Sequence, residues 1–233
     1  MTDTIQSRLH EVQHRIRATE QQYGRAAGSV TLIAVSKGKS ANEIRAAYDA
    51  GQRRFGESYV QEALPKIASL AELDIEWHFI GPTQSNKTRR IAEQFSWLHS
   101  LDRTKVAQRL HDQRPPSLPP LNVCLQINIS HEQTKAGIDI SKLTTFTNEI
   151  QACDRLCIRG LMAIPALADN FSEQRRTFRR VREAQDRLNS MGWCIDTLSM
   201  GMSNDMEAAI AEGSTMVRIG TAIFGERVSA AEK

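Results

Sequence analysis

Short runs rich in β-branched and aromatic residues alternate along this chain with stretches of helical periodicity, and few architectures accept that pattern. Strands are expected over 31–37 (TLIAVSK), 53–57 (RRFGE), 76–81 (EWHFIG), 97–102 (WLHSLD), 122–130 (NVCLQINIS), 158–164 (IRGLMAI), 196–201 (DTLSMG) and 215–220 (TMVRIG). Amphipathic segments such as ANEIRAAYDAG, SNKTRRIAEQF and FSEQRRTFRRVREAQDRLNSM lie between them, each opening near a capping residue or polar turn. Repetition of strand, crossover helix and strand implies parallel pairing, and about eight such units close into a (β/α)8 barrel. The expected class is therefore α/β: a single TIM-type barrel domain over 1–233, with an extra N-terminal helix and no second domain. That N-terminal helix, of about twenty residues, is free to cover the barrel, and the few residues after the last run leave room for only a short final helix.

Composition narrows the function classes. Lysine and arginine number 30 against 27 acidic residues, a net +3 that falls short of a nucleic-acid-binding surface. The N-terminal stretch mixes charges with apolar residues at helical spacing, unlike a signal peptide or a membrane span, so a cytoplasmic protein is expected. Cys124, Cys153, Cys157 and Cys194 are scattered without histidines at ligand spacing. They read as reduced thiols, mostly buried, and no metal site is expected.

Active sites of such barrels form where strands lead into helices. The proline-rich RPPSLPP (114–120) precedes a strand and belongs to the opposite, stability face, whereas SHEQTKAGI (130–138), with Lys135 and Gly137, follows one and lies on the functional rim. Alternation along LIAVSKGK sets Ile33, Val35 and Lys37 on one face, so Lys37 should point inward at the barrel mouth. Burial there favours a free amine able to condense with an aldehyde. The other reading is a lysine paired with a carboxylate, with Lys39 as the more solvated neighbour.

Near the other end, LSMGMSND runs through a glycine to Ser203, which can cap the helix DMEAAIAEG, and the last strand ends in Arg218, Ile219, Gly220 and Thr221. A glycine allows close backbone approach and threonine adds a donor, so the two segments form a phosphate cup after the seventh and eighth strands. A helix cap and a simple turn account for Ser203 and Gly220 as well. Because the last strand of a closed barrel pairs with the first, the cup adjoins Lys37. An aldehyde carrying a phosphate fits both.

The blocks AVSKGKS, RRFGESYVQEA, WHFIGPTQSNK, QINISHEQTKAGI, GLMAIPA and LSMGMSNDMEAAIAEGSTMVRIGTAIFG, in this order over nearly the whole chain, resemble the pyridoxal phosphate homeostasis proteins of the YggS/PROSC type, built on the alanine-racemase-like barrel. The resemblance implies a pyridoxal 5'-phosphate (PLP) carrier that buffers or delivers the cofactor, with a Schiff base on Lys37 and no catalytic residues of its own. It implies that Ser203, Gly220 and Thr221 hold the phosphate and that Arg218 faces the pyridine nitrogen. A donor-only guanidinium there keeps that nitrogen unprotonated and weakens the ring as an electron sink. The blocks also make Ser58, His78, Asn86 and Met200 cofactor-binding candidates, although His78 equally satisfies a core polar position and Asn86 a helix cap.

Two positions depart from the family pattern. Ser58 replaces an asparagine, giving a shorter, single donor, and Gly38-Lys39-Ser40 replaces Thr-Lys-Pro, so that Gly38 is expected to loosen the first loop. Implied partners are PLP and apo forms of PLP-dependent enzymes, with the chain a monomer or weak dimer. The alternative is a PLP-dependent racemase or decarboxylase whose second acid or base, commonly a tyrosine, comes from a partner; of Tyr23, Tyr48 and Tyr59, only Tyr59 lies near a strand end. A Schiff-base aldolase or sugar-phosphate isomerase also combines a lysine with a phosphate cup. The arginines 175, 176, 179, 180 and 182 read as the solvated face of one helix.

Overall fold

The computed structural model describes residues 3–129, 136–166 and 168–226. Its strands are β1 (Thr31–Val35), β2 (Arg54–Glu57), β3 (Glu76–Phe79), β4 (Trp97–Leu101), β5 (Leu121–Asn128), β6 (Ile138–Asp139), β7 (Leu156–Ala163), β8 (Thr197–Ser199) and β9 (Met216–Ile219). All pair in parallel, and the β1–β9 and β4–β5 pairings close eight of them into a ring. The two-residue β6, unforeseen, pairs with β5 beside the ring. Each expected strand is present, most with one to three residues trimmed where turns begin.

The helices are α1 (Ile5–Gln22), α2 (Ala41–Asp49), α3 (Val60–Ser69), α4 (Thr88–Gln94), α5 (Thr104–Gln113), α6 (Leu143–Glu149), α7 (Phe171–Ser190), α8 (Met206–Ala211) and α9 (Thr221–Phe224). Strand alternation sorts the core into two layers. Leu32, Ala34, Phe55, Leu198, Val217 and Ile219 face outward and pack with helix residues, while Ile33, Trp97, Cys124, Met162 and Met216 form a separate buried cluster inside the ring.

The helix α9 has four residues, too few to cover a strand, and α1 takes the vacant place by packing against α2, α8 and α9. A capping box of Thr4 and Ser7 starts α1, and Leu9, Val12 and Ile16 form its buried stripe. At its far end the buried Glu20 accepts the backbone N–H groups of Gly28 (3.0 Å) and Val30 (2.7 Å), fixing the path into β1. On the stability face, Arg114 donates to the carbonyls of Ala92, Phe95 and Pro119, which ties the proline-rich loop down as its position implies. Cys124 and Cys153 are buried, but Cys157 and Cys194 are exposed, so burial holds for only two of the four thiols.

Because α1 closes the outer layer, Ile16→Ala should lower the unfolding free energy by about 3 kcal/mol, the usual cost of an aliphatic-to-alanine cavity. Denaturant titration measures it; a change within about 0.5 kcal/mol would show α1 to be peripheral.

Candidate functional site

A cavity of about 680 Å³ opens at the strand C-termini, where the loop sorting places a functional site. Val35 and Lys37 at the end of β1, Ser58 after β2 and Ile80 after β3 line one side. Ile164 after β7, the turn Met202–Asp205 after β8, and Arg218 with Gly220, Thr221 and Ala222 from β9 line the other, and Arg15 of α1 reaches its rim. Five of the eight candidates named from sequence besides Lys37 therefore meet in one space with it: Ser58, Ser203, Arg218, Gly220 and Thr221.

Lys37 stands on a clamped backbone. Lys39 N donates to Ser36 O at 3.0 Å across a turn in which Gly38 adopts φ 73°, a conformation costly to any other residue. The Ser36 carbonyl accepts from Lys66 Nζ at 2.9 Å, and the Gly38 N–H donates to the Glu62 carboxylate. Lys66 also pairs with Glu57 (2.9 Å) and Glu62 (2.6 Å), and Glu57, fully buried, takes a further 2.6 Å hydrogen bond from the Ser36 hydroxyl. Burial pushes the Glu57 carboxyl above the usual carboxylate range, against the pull of Ser36 and Lys66. Gly38 thus tightens the loop it was expected to loosen. Lys39 is not the solvated lysine either: its ammonium donates to the carbonyls of Phe224 (3.0 Å) and Glu226 (3.1 Å).

Arg218 points inward from β9 in register with Ile33 of β1. Its guanidinium donates to Ser199 O (2.5 Å), Ser199 Oγ (2.8 Å) and Ala163 O (3.0 Å), which fixes its plane. Burial lowers its pKa to about 10, so it stays charged at neutral pH. Asp205 shares the cavity and accepts from Met202 N at 2.6 Å, and burial raises its carboxyl. Ser203 lies in the turn before α8, whose cap position is Asp205, so it is not the N-cap that the sequence pattern allowed. A Cβ at Gly220 would stand 3.2 Å from Val35 O and 3.3 Å from Val35 Cβ, so any side chain there would press on the end of β1.

Three candidates lie elsewhere. Met200 follows the inward-facing Ser199 and so points outward, fully buried against the helix layer. Asn86 is exposed in the loop before α4 and lines no part of the cavity. His78 points inward but lies below the cavity, stacked on Trp97 (centroids 5.5 Å apart) and hydrogen-bonded to Glu76 and His99. Lys135 lies outside the described residues. Among the arginines of α7, Arg175, Arg179 and Arg182 are ion-paired with the buried Glu212, which removes much of the apparent basic face. Sequence reasoning missed Glu57, Glu62 and Lys66, although Glu62 and Lys66 have the i,i+4 spacing of a helical ion pair, and it missed Arg15, whose place depends on how α1 packs.

The sequence matches the alanine racemase N-terminal domain family over residues 8–228. It is 54% identical over 224 residues, 96% of each chain, to a pyridoxal phosphate homeostasis protein of Pseudomonas aeruginosa, and 52% identical over 226 residues to that of Escherichia coli K12, covering 96% of this chain and 97% of the other. The fold superposes on PipY of Synechococcus elongatus without PLP (TM-score 0.86, 38% identity, 95% of this chain and 100% of that one) and with PLP bound (TM-score 0.84, 37% identity, the same coverage). Alanine racemase from Corynebacterium glutamicum shares the fold at 19% identity and a TM-score of 0.67, over 97% of this chain and 63% of that one.

Removing one partner of a buried ion pair strands the other. Lys66→Met should therefore destabilise the fold by about 3 kcal/mol, and Glu57→Gln, which keeps an acceptor for Ser36 and Lys66, by clearly less; equal costs in denaturant titration would mean that the buried charge is not compensated by Lys66. The buried histidines give a pH dependence. Burial holds His78 and His99 below their ordinary value of 6.5 in the fold, so below that pH the unfolded chain binds more protons and stability falls. The slope should reach at most about 1.4 kcal/mol per pH unit for each ring and vanish above the unfolded value. A flat profile on the acid side of neutrality would show that the rings are already protonated in the fold.

Proposed function

This chain belongs to the pyridoxal phosphate homeostasis family, and on that premise we propose that it binds PLP in the cavity at the barrel mouth and buffers or delivers it within the cytoplasm. The observation that carries this reading is the convergence of an amine, three hydroxyls and a fixed guanidinium on one cavity from opposite ends of the chain. When bound, PLP supplies an aldehyde that condenses with amines and a ring that can accept electrons.

Lys37 is the amine that would hold the aldehyde, on a backbone that Lys66 and Glu62 keep from shifting. Ser203 and Thr221 would donate to the phosphate, with Gly220 leaving the adjacent backbone accessible. Ser58, a single short donor, would reach the ring side from β2. Arg218, charged and donor-only, would oppose the ring nitrogen and keep it unprotonated, which favours tethering over carbanion chemistry. Among the described residues the other titratable groups in the wall are Arg15 and Asp205; Tyr59, the tyrosine nearest a strand end, is 58% exposed and outside the wall. A second proton-transfer group opposite Lys37 is what a racemase would need. Release to apo-enzymes is the natural use of such a carrier. Among the described residues no helix is long and apolar enough to cross a membrane.

Purified protein should absorb visible light as its PLP complex and lose that band in Lys37→Ala. Incubation with a single alanine enantiomer should leave its chirality unchanged, and mixing the loaded protein with an apo PLP enzyme should restore that enzyme's activity. A colourless protein that does not take up added PLP would overturn the reading, and rapid racemisation would replace the carrier with an enzyme.

A further inference from the structure

A chain of hydrogen bonds crosses the barrel interior from its N-terminal face to the cavity. Glu76, at the start of β3, lies 2.8 Å from His78 Nε2; His78 Nδ1 lies 2.8 Å from His99 Nε2; His99 Nδ1 lies 2.7 Å from the Ser199 hydroxyl. Ser199 in turn accepts from Arg218 Nη1 at 2.8 Å. The two histidines and Ser199 are fully buried, whereas the Glu76 side chain is 38% exposed. The interior of a barrel is ordinarily filled by aliphatic layers, so a file of polar groups through it needs a reason.

With both rings neutral, only one proton arrangement satisfies every link. Hydrogen bonding to His78 and the nearby Arg54 hold Glu76 below the usual carboxylate range, so it is an acceptor only and His78 must carry its proton on Nε2. Burial keeps both rings neutral: it outweighs the carboxylate at His78, and at His99 it is reinforced by His78 and Arg218. His78 Nδ1 therefore accepts, His99 donates from Nε2 and accepts at Nδ1, and Ser199 gives its one O–H to His99. The serine lone pairs are left to face Arg218. The reverse direction would set lone pairs of His78 and Glu76 face to face at 2.8 Å. Every bond thus points from guanidinium to carboxylate.

Other charged groups frame the path. Arg54 of β2 pairs with Glu76 at 3.1 Å, and Arg159 of β7 lies over the Trp97 ring that stacks on His78. Asp205 acts on Arg218 from the loop after β8, whereas the Cys124 thiol on β5, pushed up to about 12 by burial, stays neutral beside it.

We propose that His78, His99 and Ser199 are positioning residues that hold Arg218 and couple it to Glu76, so that the charge on the barrel's far face tunes how tightly the cavity holds PLP. This rests on the reading of the cavity as the PLP site. Glu76 touches nothing in the cavity, so any effect it exerts there must travel through the barrel. An ion or a partner surface that neutralises it would loosen the cofactor from the opposite side of the molecule.

Two measurements test this. Imidazole nitrogen NMR on the full chain without cofactor, at neutral pH, should show both rings neutral with the proton on Nε2; a charged ring or an Nδ1–H tautomer at either position overturns the relay. PLP affinity and the visible spectrum are then measured for wild type, Glu76→Gln, Ser199→Ala and the double variant. Glutamine keeps an acceptor for His78 and removes only the charge. Glu76→Gln should weaken PLP binding roughly 3- to 10-fold with a shifted absorption band, Ser199→Ala at least as much, and the double variant no more than Ser199→Ala. No effect of Glu76→Gln, or the same effect in both backgrounds, overturns the coupling. Wild-type protein that binds no PLP overturns the cofactor reading and the coupling with it, whereas a wrong tautomer strikes the relay alone.

Discussion

Everything at the cavity depends on the pairing of the first strand with the last. Thr31, Leu32, Ile33 and Ala34 of β1 lie in register with Met216, Val217, Arg218 and Ile219 of β9, and this ladder turns an open sheet into a ring. Without it, Lys37 and the segment 218–221 would sit on opposite edges of a sheet. Closure also removes the two exposed edges that an eight-stranded sheet would otherwise present. The close approach at Gly220 and the docking of α1 against α8 and α9 reinforce this seam. The placing of Lys37 beside segment 218–221 and the fold's integrity therefore share one set of contacts.

The seam frames an interior that is less apolar than its architecture requires. Ile33, Trp97, Cys124, Met162 and Met216 fill part of the ring, and the polar Arg218, Ser199, His99 and His78 are buried in it as well. Burying a guanidinium and two imidazoles is favourable only when each donor meets an acceptor. The backbone carbonyls of Ser199 and Ala163 and the Ser199 hydroxyl meet the guanidinium, and the file toward Glu76 meets the rings. Glu57 and Lys66 solve the same problem outside the ring, where their pairing also secures the carbonyl of Ser36 beside Lys37. Polar groups that cost stability at one layer become rigid supports for the cavity at the next.

How much of this was legible in the sequence follows the range of the interactions involved. Strand identity and the inward direction of Lys37 rest on period-two alternation, a local property, and both expectations match the structure. The two-residue β6 carries no period and went unseen. Alternation applied to DTLSMG puts Ser199 inside and Met200 outside. Met200 and Asn86 are candidates on block resemblance alone, and neither lines the cavity. The relay was beyond local reading because its members come from β3, β4, β8 and β9, whose neighbours are set only by the closed ring. A histidine at an inward position on each of two adjacent strands was the one visible sign. Arg15 was hidden because α1 was expected to cover the barrel in general, and only the shortness of α9 tells where it goes.

Arg218 joins these levels. A lysine there would be a single strongly hydrated charge, able to lose its proton on burial, whereas the guanidinium keeps its charge and spreads its donors over Ser199 and Ala163 in a plane. That plane is set by backbone carbonyls on β7 and β8, so the strands themselves hold it. A charge so fixed at the floor of a cavity leaves little freedom to adapt as electron density moves during catalysis. On the proposed reading of the cavity, such a charge would hold a bound ring in one electronic state, which suits storage of a reactive aldehyde. The barrel interior, closed by the first and last strands and threaded by one-directional hydrogen bonds, is built to keep that charge where it is.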